Sequence, residues 1–312
     1  VILLAGIPSE TPLSLVVDEL DRVGAAYTTF HQRHVAGASV DLRVEEGRVR
    51  GRLELGGVSH PLESFTAAYL RLMDDRMLPE LADEPEGSPA RTHARAVHEV
   101  LVRWSDVAPC RVVNRYSAMA SNGSKPYQVQ LIRRHGLDVP ETLVTNVPQL
   151  VREFRRRHGR IVYKSMSGVR SVVRVFDDED DARLDRIRWC PTQFQAFVPG
   201  EDVRVHVVGT RVLATAIRSD GVDYRYAGRD GHDGSEAQLR PVELEPALAR
   251  RCVDLARALG LPFAGIDLKV TPDGDVVCFE VNPSPAYSYY ELSTGQPIAA
   301  ELVRYLRGLQ EA

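Results

Sequence analysis

Little in this 312-residue chain points to a cross-linked, membrane-spanning or nucleic-acid-binding protein. Its four cysteines, Cys110, Cys190, Cys252 and Cys278, form no C-x-x-C pair, which excludes a zinc ribbon or a disulfide framework and leaves structural thiols. The longest apolar run, residues 1–5, is far shorter than the roughly 18 residues a spanning helix needs, so no membrane partner is expected. The chain opens on a buried-strand pattern without a basic n-region or cleavage site, so no secretory signal is expected and the location is read as cytoplasmic. A net charge of −4, from 39 basic and 43 acidic residues, leaves no electrostatic footprint for duplex nucleic acid. Also missing are G-x-S-x-G, H-E-x-x-H, G-x-x-x-x-G-K and G-x-G-x-x-G. Serine-hydrolase, zincin, P-loop and dinucleotide-binding readings are weak for that reason.

Lysine is scarcest among the charged residues: Lys125, Lys164 and Lys269 stand against 36 arginines. A lysine retained under such a bias tends to sit where a compact, flexible point charge is needed, with chance survival as the alternative.

What is present reads as an α/β chain in three parts. An apolar strand at 1–5, a helix carrying Leu13, Val16, Val17, Leu20 and Val23, and a strand at 27–30 make a β-α-β opening. Residues 40–62 alternate through Glu46-Gly47 and Gly56-Gly57 as a β-meander. A strand at 67–70, an exposed acidic loop at 83–89, a helix at 90–104 and a strand at 111–114 complete an N-terminal α/β domain, 1–118. The second part, 119–198, holds helices at 125–135 and 148–158 and strands at 142–145, 160–164, 172–176 and 192–198. Its small-residue segment 165–171 reads as a mobile loop, and its acidic run 177–181 as a solvated loop or helix start. The third part, 199–312, has a hairpin turning at Gly209-Thr210, a helix at 246–259, a second hairpin and a final helix at 296–309.

That second hairpin, GIDLKVTPDGDVVCFEVNPSP, carries the most chemistry. With a four-residue turn at 272–275, Val270 pairs with Val277 and Asp267 falls opposite Glu280. Directly opposed carboxylates destabilise a sheet unless something lies between them. Asn282, two residues on, shares their face. Three oxygen donors in an apolar strand pair suit Mg²⁺, which keeps waters and shares substrate phosphates; the alternative is a surface hairpin whose charges face solvent. Lys164 ends a strand at the 165–171 loop, and Lys125 follows Ser121-Asn122-Gly123-Ser124. Lysines beside small-residue loops suit phosphate recognition.

The ordered set GSKPYQ, GLDVPETLVT, IVYKSMSG, QFQAFVPGEDVRV, AIRS and GIDLKV…FEVNPSP resembles the ATP-grasp superfamily. Within it, the set is similar to the ribosomal-protein-S6-modifying, glutathione-synthase-like branch, which includes peptide-modifying ligases. The resemblance covers residues 118–290 and implies an ATP-grasp fold with the 119–198 part as a lid and the 199–312 part as the catalytic domain. It matches Lys125 and Lys164 to phosphate-holding lysines, and Ser165, Ser167 and Gly168 to the loop over the triphosphate. Gln195, where relatives usually carry an acidic residue, precedes an adenine hinge formed by Ala196, Phe197 and Val198. Asp202 matches an acid near the ribose, Arg204 and Arg218 match catalytic arginines at the transferring phosphate, and Asp267, Glu280 and Asn282 match the metal ligands. A glycine that relatives often have after Asn-x-Ser-Pro is Ala286 here, which alters the acceptor-side loop.

The activity the resemblance implies is ATP-dependent carboxylate–amine ligation through an acyl phosphate, with ATP and two Mg²⁺ ions as cofactors and a peptide or amino-acid-like substrate. The rivals are a peptide cross-linking maturase making ester or amide macrocycles, a phosphotransferase at the same nucleotide site, and a nucleotide-binding regulator without turnover. Tyr224, Tyr226, Tyr287, Tyr289 and Tyr290 offer aromatic walls for a small-molecule or peptide acceptor, with a core role as the alternative. His93, His98, His206 and His232 show no ligand spacing and read as structural. Self-association into a homo-oligomer is left open.

Overall fold

Strand β1 (Ile2–Gly6) is buried along its whole length, as a parallel strand covered on both faces must be. The structure, a computed structural model, describes residues 1–165, 173–219 and 237–310. Helix α1 (Thr11–Arg22) turns Leu13, Val16 and Leu20 inward at helical spacing and leads to β2 (Tyr27–His31), parallel to β1. The meander follows as β3 (Ala38–Glu45), β4 (Arg48–Leu55) and β5 (Val58–Pro61), a separate three-stranded sheet. Gly51 lets β3 and β4 close on each other, because a Cβ there would lie 2.3 Å from Asp41 O. Strand β6 (Ala67–Leu70), helix α2 (Pro89–Val107) and β7 (Arg111–Val113) then complete a parallel sheet ordered β2-β1-β6-β7.

After α3 (Tyr116–Met119) come α4 (Lys125–Arg134), β8 (Thr142–Thr145), α5 (Pro148–His158), β9 (Ile161–Ser165), β10 (Arg174–Val175), α6 (Asp178–Ala182) and β11 (Thr192–Ala196). The four strands form an antiparallel sheet ordered β10-β9-β11-β8 around Val151, Ile161, Phe176, Leu184 and Phe194. The acidic run opens α6 through a capping box between Asp177 and Asp180, so it is a helix start. The strand expected over 172–176 is the two residues of β10, and the one expected over 192–198 ends at Ala196. The loop expected at 165–171 lies outside the described residues from 166 on, and so do Tyr224, Tyr226 and His232.

The last sheet contains β12 (Glu201–Val208), β13 (Arg211–Arg218), β14 (Gln238–Val242), β15 (Phe263–Val270) and β16 (Val276–Asn282), ordered β14-β13-β12-β15-β16. Alternation along β12 sends Val203, Val205 and Val207 to a core beneath α7 (Pro246–Ala258), against Leu248, Cys252 and Leu255. It sends Asp202, Arg204 and His206 to the other face. There α8 (Ser288–Thr294) and α9 (Ile298–Leu306) pack on α1 in a core that also holds Leu4, Tyr69 and Phe263. The final helix expected over 296–309 is α9, shorter at both ends and capped by Pro297, and α8, which was not expected from the sequence, precedes it and ends at Gly295, φ 71°, in a left-handed cap. No helix among the described residues is long and apolar enough to cross a membrane. All four cysteines are free; Cys252 and Cys278 are buried, whereas Cys190 is exposed and is no core thiol.

Candidate active site

Asp267 does lie opposite Glu280, and Asn282 opposite Gly265, but the turn between the strands is not the one counted from sequence. Val270 pairs with Val276 and Lys269 with Val277, so the turn spans five residues and the register begins one residue off. A bulge between Asp267 and Leu268, opposite Cys278 to Glu280, absorbs Phe279 and restores the pairing. The extra turn residue is Thr271, whose N–H donates to Asp275 O at 2.9 Å and whose Oγ1 accepts from Asp275 N at 3.1 Å.

The opposed carboxylates are compensated, contrary to the expectation for a metal-free hairpin. Arg204, its side chain only 7% exposed, donates from Nη1 to Asp267 Oδ1 at 2.6 Å, reaching across from the neighbouring strand at its paired position. Lys125, at the start of α4, donates from Nζ to Glu280 Oε1 and to Asn122 Oδ1 at 2.9 Å. Burial alone would raise the Glu280 carboxyl, yet Lys125, with help from Lys164 and Arg204, holds it below the usual carboxylate range. The structure thus brings Lys125, Lys164, Arg204, Asp267 and Glu280 to one locus between two sheets. Asn282 turns inward on its own loop, where its Oδ1 accepts from Ser284 N at 2.9 Å. Among the described residues no three His, Cys, Asp or Glu side chains cluster as a closed metal cage. The donor set is two carboxylates and an amide, the kind that leaves a hard cation open to phosphate oxygens.

The remaining expected positions spread around this locus. On the four-stranded sheet, Lys164 is paired with Gln193, and Gln195 is buried with its amide donating to Thr142 Oγ1 at 3.0 Å. Beyond Ala196, Phe197 N donates to Arg160 O at 3.0 Å and the Arg160 guanidinium lies 3.9 Å over the Phe197 ring; Val198 follows, half-buried. Ser167, Gly168 and the Ser165 side chain lie outside the described residues. Asp202 meets Lys269 at 3.2 Å. Arg218 is exposed at the end of β13, and strand alternation sets it on the Ala214–Ala216 face, away from Arg204; no described contact joins it to the carboxylates. Of the tyrosines proposed as acceptor walls, Tyr287 is fully buried and donates to Pro12 O at 2.5 Å, and Tyr290 is buried under Arg204 at 5.7 Å. Both belong to the core, while Tyr289 is exposed.

Three uncharged or buried residues that sequence reasoning passed over hold the hairpin in place. Asn114 donates from Nδ2 to Phe263 O at 2.6 Å and Pro283 O at 2.5 Å and accepts from Phe263 N at 3.1 Å. Gln128 pairs with both backbone groups of Val281, at 2.8 and 3.0 Å, and so closes the free edge of β16 as another strand would. Arg71, bidentate to Glu10 at 2.6 and 3.0 Å, reaches Ser284 Oγ at 3.4 Å and Pro285 O at 3.5 Å. A buried amide in a polar run has no periodicity to reveal it. For Arg71 the only hint was an arginine just after a buried strand.

A carboxylate hairpin with two lysines and an arginine converging on it, faced by a small antiparallel sheet, defines an ATP-grasp ligase. The chain belongs to the RimK-like ATP-grasp domain family, whose description matches residues 123–306. It is an ADP-forming carboxylate–amine ligase of that type. A probable alpha-L-glutamate ligase of Teredinibacter turnerae is 28% identical over 216 residues, 66% of this chain and 70% of that one. One of Marinobacter nauticus is 29% identical over 203 residues, 62% and 66% of the two chains. Among solved structures, the ATP-grasp ligase PsnB complexed with a phosphomimetic variant of a minimal precursor, Mg and ADP matches 99% of this chain and 98% of its own. Its TM-score is 0.81 and its identity 25%. The macrocyclase MdnC of Microcystis aeruginosa, bound with precursor peptide MdnA, matches 99% and 100% with a TM-score of 0.79 and 22% identity, a likeness of fold.

Proposed function

We propose that the protein joins a carboxylate of a peptide to a nucleophile of the same or another chain, through an acyl phosphate made from ATP. The observation that carries this reading is the pairing of each hairpin carboxylate with a cation: Glu280 with Lys125, Asp267 with Arg204. Such pairs can exchange partners. Lys125 and Lys164 then hold the phosphates and Arg204 the transferring group, while Asp267, Glu280 and Asn282 are free to hold Mg²⁺. Held by those three residues, Mg²⁺, two ions in this proposal, would supply positive charge against the phosphate being transferred. Gln195 presents an acceptor to the adenine amino group, the 196–198 backbone lines the adenine edge, and Asp202 stands by the ribose. The parts 1–118, 119–198 and 199–312 act as N-terminal, lid and catalytic domains.

The chemistry dictates the order of steps. A carboxylate oxygen is a poor leaving group until it is phosphorylated; attack on the γ-phosphate releases ADP, and the nucleophile then expels phosphate. The acyl phosphate is short-lived in water, so the reaction needs the two sheets to close over it. A peptide substrate is supported by solved relatives that carry precursor peptides and match 99% of this chain, its N-terminal part included. The glutamate-ligase relatives named above match about two thirds of it.

The test is the product set. Acceptor-dependent turnover should release ADP and inorganic phosphate, and hydroxylamine should trap a hydroxamate of the carboxylate substrate. Release of AMP and pyrophosphate, or a stable phosphorylated acceptor without free phosphate, overturns the acyl-phosphate route.

A further inference from the structure

The outer N–H and C=O groups of an edge strand are a template for another chain unless something blunts them. Most edges of this protein are blunted. Strands β7, β8 and β10 are two to four residues long, β5 ends on Pro61 and β14 carries Pro241, and Gln128 closes β16. The exception is β3. It runs eight residues at the outside of the three-stranded sheet, in unbroken register and without proline or lysine.

The hairpin turn fixes which of its backbone groups face outward. Glu46 and Gly47, at φ 51° and 75°, make a two-residue type I′ turn, so Glu45 exchanges hydrogen bonds with Arg48, and likewise Arg43 with Arg50 and Asp41 with Arg52. Val40, Leu42 and Val44 therefore turn their N–H and C=O to the open edge, where no other hydrogen bond among the described residues reaches them. Ala38 faces the same way, but its carbonyl accepts from His93 Nε2 at 3.0 Å, which closes that end of the edge. The side chains of Val40, Leu42 and Val44 share the face packed on α2, and Ser39, Asp41, Arg43 and Glu45 take the other. The apolar face outruns its cover: Val44, near the hairpin tip, is 73% exposed.

An antiparallel strand bonds to this edge only where its own outward groups oppose Val40, Leu42 and Val44. A second copy of β3 meets that condition at all three residues in one register, centred on Leu42. Leu42 then opposes Leu42 of the second copy, and Val40 and Val44 oppose each other twice. The charges on the other face agree with that register, since it sets Asp41 of each copy against Arg43 of the other. Centring on Asp41 or on Arg43 instead sets that charge against itself. In the single chain Asp41 has only long, exposed contacts, 3.3 Å to Arg43 and 3.4 Å to Arg52, which contribute little in water.

We propose that β3 is the interface of a homodimer, in which two copies pair their β3 edges about a two-fold axis through Leu42. The two three-stranded sheets join into one of six strands, through three residue pairs that each exchange two backbone hydrogen bonds. Both apolar faces stay on one side, and Val44 of each copy is covered beside Val40 of the other.

Sedimentation velocity on the 312-residue chain tests this. The wild type should sediment at twice its 34.7 kDa and dissociate on dilution. Arg43→Asp puts like charges in both cross-copy pairs, and Asp41→Arg does so with the opposite sign. Each should weaken dimerisation about tenfold or more. Mixed in equal amounts, the two variants should dimerise with each other, because every Asp then faces an Arg. ATP affinity should match wild type in both, which reports that they fold. The proposal is overturned if the wild type stays monomeric, if either variant dimerises as tightly as wild type, or if the mixture is no more dimeric than its components. Should a single variant lose ATP binding through misfolding, the double variant Asp41→Arg/Arg43→Asp decides. It restores both pairs and should dimerise like wild type; a double variant that binds ATP and stays monomeric overturns the interface.

Discussion

Lys125 donates from Nζ to Glu280 Oε1, joining residues 155 positions apart, while on the strand opposite Arg204 holds Asp267. Two carboxylates facing each other across a hairpin are stable here because each has its own cation. Those cations are also the groups the chemistry needs on phosphate. In the proposed cycle, nucleotide and metal replace contacts the protein already makes, so neither charge is ever left bare between turnovers.

Asp267→Asn should consequently lower the melting temperature of the nucleotide-free protein. The neutral amide still accepts a hydrogen bond, but the buried Arg204 loses its counter-charge, a cost of about 1–3 kcal/mol. This reverses what repulsion between bare carboxylates predicts. Mg·ATP should raise the wild-type melting temperature by mass action and the mutant's far less. A mutant that melts higher without ligand shows that Arg204 does not depend on Asp267.

Lys164→Met keeps the aliphatic stem and removes the charge, so the fold should persist. If Lys164 holds phosphate, ATP affinity should fall by about tenfold or more, the value of a charge-assisted hydrogen bond of roughly 1.5–3 kcal/mol. Calorimetry with an unchanged affinity would make Lys164 a partner of Glu280 alone.

Asn114→Ala removes three hydrogen bonds at once and leaves Phe263 N–H, Phe263 C=O and Pro283 C=O buried and short of partners. A loss of about 2–4 kcal/mol is expected, several degrees in a thermal melt. Since Pro283 follows the carboxylate strand, turnover should fall too. A melt within one degree of wild type refutes the assignment of Asn114 as the tie between the N-terminal sheet and the hairpin.

His206 gives a pH signature. It is fully buried between Phe263 and Tyr290, neither ring nitrogen has a hydrogen bond among the described residues, and burial, with Arg204 nearby, pushes its pKa well below the ordinary value near 6.5. The unfolded chain therefore takes up a proton below about pH 6.5 while the native protein does not. Stability from this group is complete above that pH and is lost as pH falls, by at most about 1.4 kcal/mol per unit. His206→Phe, which preserves the ring packing, should flatten the fall in melting temperature between pH 6.5 and 5. An unaltered slope assigns the acid sensitivity to other groups, Glu280 among them only nearer pH 4.

Most of the strand and helix order was legible because it rests on local periodicity. Asp267 opposite Glu280 was reached by counting from a four-residue turn, yet the pairing holds only because the five-residue turn and the bulge at Phe279 offset each other. The final helix was drawn two residues too early and three too late, and α8 was not read, because helix boundaries are set by capping geometry that apolar spacing does not mark. Arg204 with Asp267 and Lys125 with Glu280 could be suspected as members of one site but not as pairs. Charge pairing depends on distance across strands, which a linear string does not carry.

The sequence by itself determined the succession of elements, the family and the chemical types gathered near the hairpin. Alternation, helical spacing and motif order are properties of neighbouring residues. Only the tertiary structure decided that Asn114 and Gln128 brace the hairpin, that Tyr287 and Tyr290 are core, and that each carboxylate already has a cation. Those outcomes depend on which backbone groups and charges are brought within about 3 Å of each other, between residues more than sixty positions apart, and on the cost of leaving any of them buried and unpaired.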